Sequence, residues 1–193
     1  SEAAQVLHGA GQEERFGFAV AAGDLGGDSV PELIVGAPLA DAGAGDAGQV
    51  LVFARDAKTG LFDEKPKRAL IGPFGADQFG TSVAVCDFNG DGWLDLAVGT
   101  PAGEDRDLVP QMADQGAVNV FLGHEGGFVD KAEQKLFGAL PQDGVWKDSA
   151  GLRLGQTVAA GDYNGDGACD LAVMALNYAQ PGGAAGARCA ARS

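Results

Sequence analysis

Histidine and cysteine are scarce in this chain, with two of the first and three of the second among 193 residues. His8 and His124 are too few for a histidine-based metal centre, and no Cys–His spacing suggests zinc. Cys86, Cys169 and Cys189 make no disulfide framework, and their odd count leaves at least one unpaired. No apolar run approaches the roughly 18–20 residues of a membrane span. No segment sustains the 3.6-residue apolar period of a helix. Basic residues are also few, Lys and Arg totalling 13 against 27 Asp and Glu, for a net charge of −14. That balance argues against nucleic acid or an anionic membrane as a partner. There is no Ser-His-Asp set, nucleotide-binding glycine loop or histidine cluster, so the expectation is a protein that is not an enzyme. Ser1-Glu2-Ala3-Ala4 lacks the basic and apolar regions of a signal peptide; either one was removed or none existed.

What is present is 46% apolar residues with mean hydropathy near zero, enough for one soluble domain with a core. Within it an acidic nonapeptide recurs. Asp87-Phe88-Asn89-Gly90-Asp91-Gly92-Trp93-Leu94-Asp95 returns as Asp162-Tyr163-Asn164-Gly165-Asp166-Gly167-Ala168-Cys169-Asp170. A worn copy runs Asp24-Leu25-Gly26-Gly27-Asp28-Ser29-Val30-Pro31-Glu32. Oxygen side chains at positions 1, 3 and 5, with Gly at 6 for the turn, suit a hard cation such as Ca2+. An EF-hand opens alike but closes with Glu at position 12; here that position is Val98 or Val173, inside an apolar run. The closing carboxylate stands at position 9 and a strand-like segment follows at once. The bland alternative is an unliganded turn, since Asp, Asn and Gly favour turns anyway.

The repeat extends beyond the loop. Arg15-Phe16-Gly17 precedes the first copy and Gly36-Ala37-Pro38 follows it. Gln78-Phe79-Gly80 and Gly99-Thr100-Pro101 flank the second. Arg153-Leu154-Gly155 precedes the third, which ends in Met174-Ala175-Leu176. Short β-branched and aromatic runs supply further strands at Gln49–Ala54 and Ala117–Leu122. Fourth strands are expected at Arg68–Gly72 and Gln134–Gly138, with Gln5–Gly9 as the same element standing before the first unit. Cys86 occupies the place of Gly23 and Gly161, which points to a small packed residue; Cys169 and Cys189 could bridge. Residues 181–193 are low-complexity, with no strand pattern. Together these predict an all-β chain of four-stranded antiparallel units.

Phe-Gly, then Asp-x-Asn-x-Asp-Gly-x-x-Asp, then Gly-Ala-Pro, in that order, resembles the FG-GAP repeat of integrin α-subunit β-propellers and related secreted proteins. The likeness covers a partial β-propeller over 1–180, with units at about 10–72, 73–138 and 148–180. It implies Ca2+ held at Asp87, Asn89, Asp91, the Trp93 carbonyl and Asp95, and again at Asp162, Asn164, Asp166, the Ala168 carbonyl and Asp170. Asp24, Asp28, Val30 and Glu32 form a weaker third candidate, because Gly26 replaces the ligand Asn and Glu32 the closing Asp. The metal's role there would be structural.

Propeller rings have about 4–8 blades, so two complete units and a partial one make an incomplete ring. The remaining blades would come from a longer chain or from other copies; a small open stack with capped ends is the other solution. The resemblance implies an extracellular or cell-surface module for adhesion or ligand recognition. Its protein or glycan ligand would dock on the face opposite the metal loops. Glu104-Asp105-Arg106-Asp107 and Trp146-Lys147-Asp148 stand out in the long loops of that face. A lectin-like propeller and an accessory propeller of a secreted enzyme are the competing functions.

Overall fold

The computed structural model describes residues 5–11, 13–106, 113–142, 145–148, 150–176 and 188–190. No helix occurs among them, and the strands fall into sheets in chain order. β1 (Ala19–Gly23), β2 (Glu32–Ala37), β3 (Gln49–Phe53) and β4 (Arg68–Ile71) form the first sheet, each antiparallel to the next. β5 (Ser82–Cys86), β6 (Asp95–Thr100), β7 (Ala117–Phe121) and β10 (Gln134–Phe137) form the second in the same order. The small hairpin β8 (Gly123–His124) and β9 (Gly127–Phe128) interrupts it, and the hairpin β11 (Ala139–Gln142) and β12 (Val145–Asp148) follows it. β13 (Leu154–Gly161), β14 (Asp170–Ala175) and β15 (Arg188–Ala190) form the third sheet. These are propeller-type blades that do not close into a ring.

The first strands β1, β5 and β13 lie side by side, β5 in the middle. Between blades one and two, Ile34, Val50, Val52 and Leu70 meet Phe79, Leu96, Val98 and Phe121 in one buried cluster. Phe121 sets its ring edge-on to both Phe79 and Phe128, at 6.2 Å in each case. Val118 and Val120 of blade two meet Val158, Leu171 and Val173 of blade three in a second cluster. A blade is therefore apolar on both faces, which is why β2, β6 and β7 are buried almost throughout.

Glycines set how closely the blades approach. Gly17 N donates to Gly36 O within blade one, and Gly80 N to Gly99 O within blade two, both at 3.1 Å. A Cβ on Gly36 would stand 2.1 Å from Gly80 O, and one on Gly99 2.0 Å from Gly155 O. The Phe-Gly-type glycine of blades two and three thus rests on the Gly-Ala-Pro-type glycine of the blade before it. Ser82 Oγ adds a 2.8 Å bond to Gly155 O. Further out, Phe79 N donates to Ala47 O and Leu154 N to Gln115 O, stitching each blade to the previous blade's outer loop.

Four features differ from the sequence expectation. Gln5–Gly9 is not a strand; no strand among the described residues pairs with it. It still packs where a fourth strand would, with Leu7 against Val35, Leu51 and Phe53, and the Gln5 amide exchanges two bonds with the Phe62 backbone. The 139–152 connection contains the β11–β12 hairpin rather than being loop throughout. β8–β9 places Phe128 in the first core, a contribution its Gly-rich sequence conceals. Arg188–Ala190 pairs with Val173–Leu171 although it has no strand pattern; the unpaired edge of β14 recruits backbone, not side chains.

Replacing Gly99 by Ala forces its methyl into Gly155 O. The expected cost is about 1–3 kcal/mol, read as a lower urea midpoint, whereas Ala at exposed Glu64 should leave the midpoint unchanged.

Candidate metal centre

Each acidic loop joins the first strand of a blade to its second, so all three emerge on one face of the array. Their shared anchor is the ninth residue. Asp95 and Asp170 are buried and accept from the backbone N–H of Phe88 and Tyr163, at 2.7 and 2.9 Å. Glu32, also buried, accepts from Leu25 N at 3.0 Å. Asp95 takes a second bond from Gly123 N at 2.7 Å. Burial is the main cause pushing the Asp95 carboxyl up, partly offset by those two bonds, and the Asp87 and Asp91 charges push the same way.

The first residue organises the turn. Asp87 accepts from Gly90, Asp91 and Gly92, and Asp162 accepts from Gly165, Asp166 and Gly167. Those N–H groups, Gly167 first, hold the exposed Asp162 carboxyl below its usual range. The third and fifth residues are also paired: Asn89 Nδ2 donates to Asp91 Oδ2 at 2.8 Å and Asn164 Nδ2 to Asp166 Oδ2 at 2.9 Å. Asn164 Nδ2 additionally stands 3.4 Å from Asp170 Oδ1. An amide's partial positive charge thus sits between two carboxylates, where a cation would be favoured.

Among the described residues, no three acidic, His or Cys side chains stand converged as a ligand cluster. The donors of loops two and three do fit Ca2+ chemically, being carboxylate, amide and carbonyl oxygens without nitrogen or sulfur. Asp87 and Asp162 keep lone pairs beyond those the turn consumes.

Loop one is different. Lys67 Nζ lies 3.0 Å from Glu32 Oε1, with Glu32 buried and Lys67 half exposed. Lys67 N donates to Val52 O as Glu133 N donates to Val120 O, so the two residues hold equivalent places in blades one and two. The blade whose loop lacks the ligand Asn has a lysine there, and the blade whose loop has it carries a glutamate. Sequence reading missed Lys67 because it lies 35 residues from Glu32; the sign change between the two fourth-strand entries was the available signal.

Neighbouring loops are tied together. The Trp93 ring lies on Gly27 of loop one, where a Cβ would stand 2.1 Å from the ring edge. Cys86 and Cys169 form a disulfide, their Cα atoms 6.0 Å apart. That corrects both the packed-residue reading of Cys86 and the Cys169–Cys189 bridge. The physical reason is the adjacency of β5 and β13, which brings the end of β5 beside loop three; Cys169 N also donates to Asp87 O at 3.2 Å.

On the opposite face, Arg106 stacks on Phe74 at 4.1 Å and pairs with Asp77 and Glu104, both at 3.5 Å. This segment, picked out as exposed charge, instead ties the loop after β4 to the loop after β6. Asp107 lies outside the described residues, as do the side chains of Trp146, Lys147 and Asp148. Burial pushes the Asp77 carboxyl up to about 6, against the opposing pull of Arg106.

Residues 16–53 and 79–120 match the FG-GAP repeat. Integrin alpha-PS5 of Drosophila melanogaster is 36% identical over 173 residues, covering 88% of this chain and 16% of that protein. Human phosphatidylinositol-glycan-specific phospholipase D is 33% identical over 177 residues, 88% of this chain and 19% of that protein. Integrin alpha-5 of Xenopus laevis is 32% identical over 172 residues, 83% and 15% respectively. The chain therefore spans less than a fifth of each of these relatives.

Two outcomes are expected. Lys67→Met strands the buried Glu32 carboxylate and should lower stability by about 1–3 kcal/mol, with Lys67→Met/Glu32→Gln recovering part of it in urea unfolding. Asp77, whose folded pKa lies above the ordinary 3.8, contributes most stability below about pH 4 and loses it as pH rises to about 6. The stability of Asp77→Asn relative to the parent should accordingly rise between pH 4 and 6 and stay level above.

Proposed function

Because this chain carries two FG-GAP repeats, we propose that it is a calcium-stabilised extracellular recognition module without catalysis of its own. Loops two and three hold the metal and the opposite face meets a protein ligand. The observation that carries this reading is the exchange of cations between blades. Where the loop motif is worn, the Lys67 ammonium sits against Glu32. In blade two, where it is intact, the equivalent residue is Glu133, and among the described residues the loop's carboxylates are left with amide and backbone N–H groups only.

Asp87, Asn89, Asp91 and Asp95 would supply side-chain oxygens in loop two, with Asp162, Asn164, Asp166 and Asp170 in loop three. The carbonyls of Trp93 and Ala168 would complete each set. A bound divalent ion supplies two positive charges to a site of three carboxylates, relieving their mutual repulsion. Loop one needs none, so two sites are proposed and Asp24, Asp28, Val30 and Glu32 are not a third. Asp87 and Asp162 hold the turns and the buried Asp95 and Asp170 fix them to the sheets. The disulfide supports an oxidising compartment, where millimolar-affinity Ca2+ sites are also usable.

A second reading, an accessory propeller of a secreted enzyme, is favoured by the likeness to a phospholipase D. It places the same loops in the same structural role. In either case Ca2+ should raise the melting temperature by several degrees and a chelator should reverse the rise. Asp91→Ala with Asp166→Ala should abolish the response. A melting temperature indifferent to chelator would mean that the loops are turns only.

A further inference from the structure

We propose that a cleft at the head of the innermost strands, on the face opposite the acidic loops, binds the carboxylate of an acidic side chain on a protein ligand. The cleft measures about 220 Å3 and draws the same two positions, three residues apart, from every unit: Arg15 and Phe18, Gln78 and Thr81, Arg153 and Gln156. Arg15, Gln78 and Arg153 all have left-handed backbone, with φ of 53°, 59° and 53°. Three non-glycine residues in that region at one repeat position form a costly shape, and such strain gathers at functional sites. It brings two guanidinium groups to one mouth on a chain of net charge −14.

Those cations are under-used. Among the described residues no carboxylate pairs with Arg15, whose guanidinium rests 5.8 Å from the Phe18 ring centre. Arg153 Nη2 donates to Gln78 Oε1 at 3.1 Å. Its only ion-pair partner among the described residues is half-exposed Asp114, 3.9 Å from Nη1. Its Nε is buried without a hydrogen-bond partner. With Gln78 Oε1 occupied, that side chain has its NH2 left to donate. Guanidinium forks match a carboxylate, and the surrounding acidity disfavours a phosphate or polyanion more than a single negative charge. Phe18, Pro38 and Leu39 supply an apolar wall for the methylene stem of Glu or Asp and for its peptide neighbours. The proposal rests on the preceding reading for the ligand face and for a protein as the ligand, and not on its metal.

The test is an NMR titration of the full chain in calcium buffer, following the arginine Nε–H signals, with acetyl-Gly-Gly-Glu-Gly-Gly-amide. The Gln counterpart of that peptide and glucuronate are run in parallel. The Glu peptide should move the Arg15 and Arg153 signals at least about tenfold more tightly than the Gln peptide, and Arg15→Gln, at an exposed position, should remove that preference without changing the melting temperature. Equal response to the two peptides, or an unaltered preference in Arg15→Gln, would overturn the proposal. Tighter binding of glucuronate would overturn the peptide assignment in favour of an acidic sugar. None of these results alters the chelator response, so the two readings fail separately.

Discussion

A buried carboxylate at the start of each blade's second strand is the point on which the rest hangs. Glu32, Asp95 and Asp170 each reach back to the second residue of the loop that precedes them. The bond closes the turn, fixes the register of first strand on second, and commits a negative charge to the interior. A buried charge is tolerable only when it is paired or well hydrogen-bonded. Blade one answers with the Lys67 ammonium. Blade two answers with Gly123 N and leaves Asp87 and Asp91 pressing on the same site. The difference between blades one and two is one of where the compensating charge comes from, and it is the physical basis for proposing an external cation in loop two and, from the matching motif, in loop three.

The same corner governs how blades join. The three loops lie on one face because β1, β5 and β13 lie side by side, and they are linked in turn. Trp93 covers Gly27, and the Cys86–Cys169 disulfide joins the residue before loop two to the penultimate residue of loop three. At the other end of these strands the glycine contacts Gly36–Gly80 and Gly99–Gly155 bring the blades to backbone distance. Loops on one face and glycines on the other hold each pair of blades at both ends. That rigidity is what lets the opposite face present Arg15, Gln78 and Arg153 at a fixed spacing.

Much of this was legible in the sequence. The short β-branched and aromatic runs, the turn residues between them and the recurrence of Phe-Gly and Gly-Ala-Pro specify four-stranded units, and both complete blades have the expected strand order. The glycines were legible as motif, though only the packing shows that they are contacts between blades. What the sequence hid falls into one class. The Lys67–Glu32 pair, the Cys86–Cys169 bridge, the Trp93–Gly27 contact and the Arg15–Arg153 cleft each join residues far apart in the chain, and no local pattern records such pairings. Arg188–Ala190 was hidden for a related reason, because a sheet edge recruits backbone whatever its side chains. Gln5–Gly9 shows the converse: its pattern is that of a strand and Leu7 packs as one, but a strand needs a neighbour.

The central claim is that loops two and three hold a divalent ion while loop one holds none. Trp93 stands inside loop two, so terbium bound there would receive its excitation energy and emit. The account predicts sensitised terbium emission from the folded chain, competed away by Ca2+, reduced in Asp91→Ala, lost in Asp91→Ala with Asp166→Ala and unaffected by Asp28→Ala. A folded chain that gives no sensitised emission, or one whose emission survives Asp91→Ala with Asp166→Ala, would contradict it.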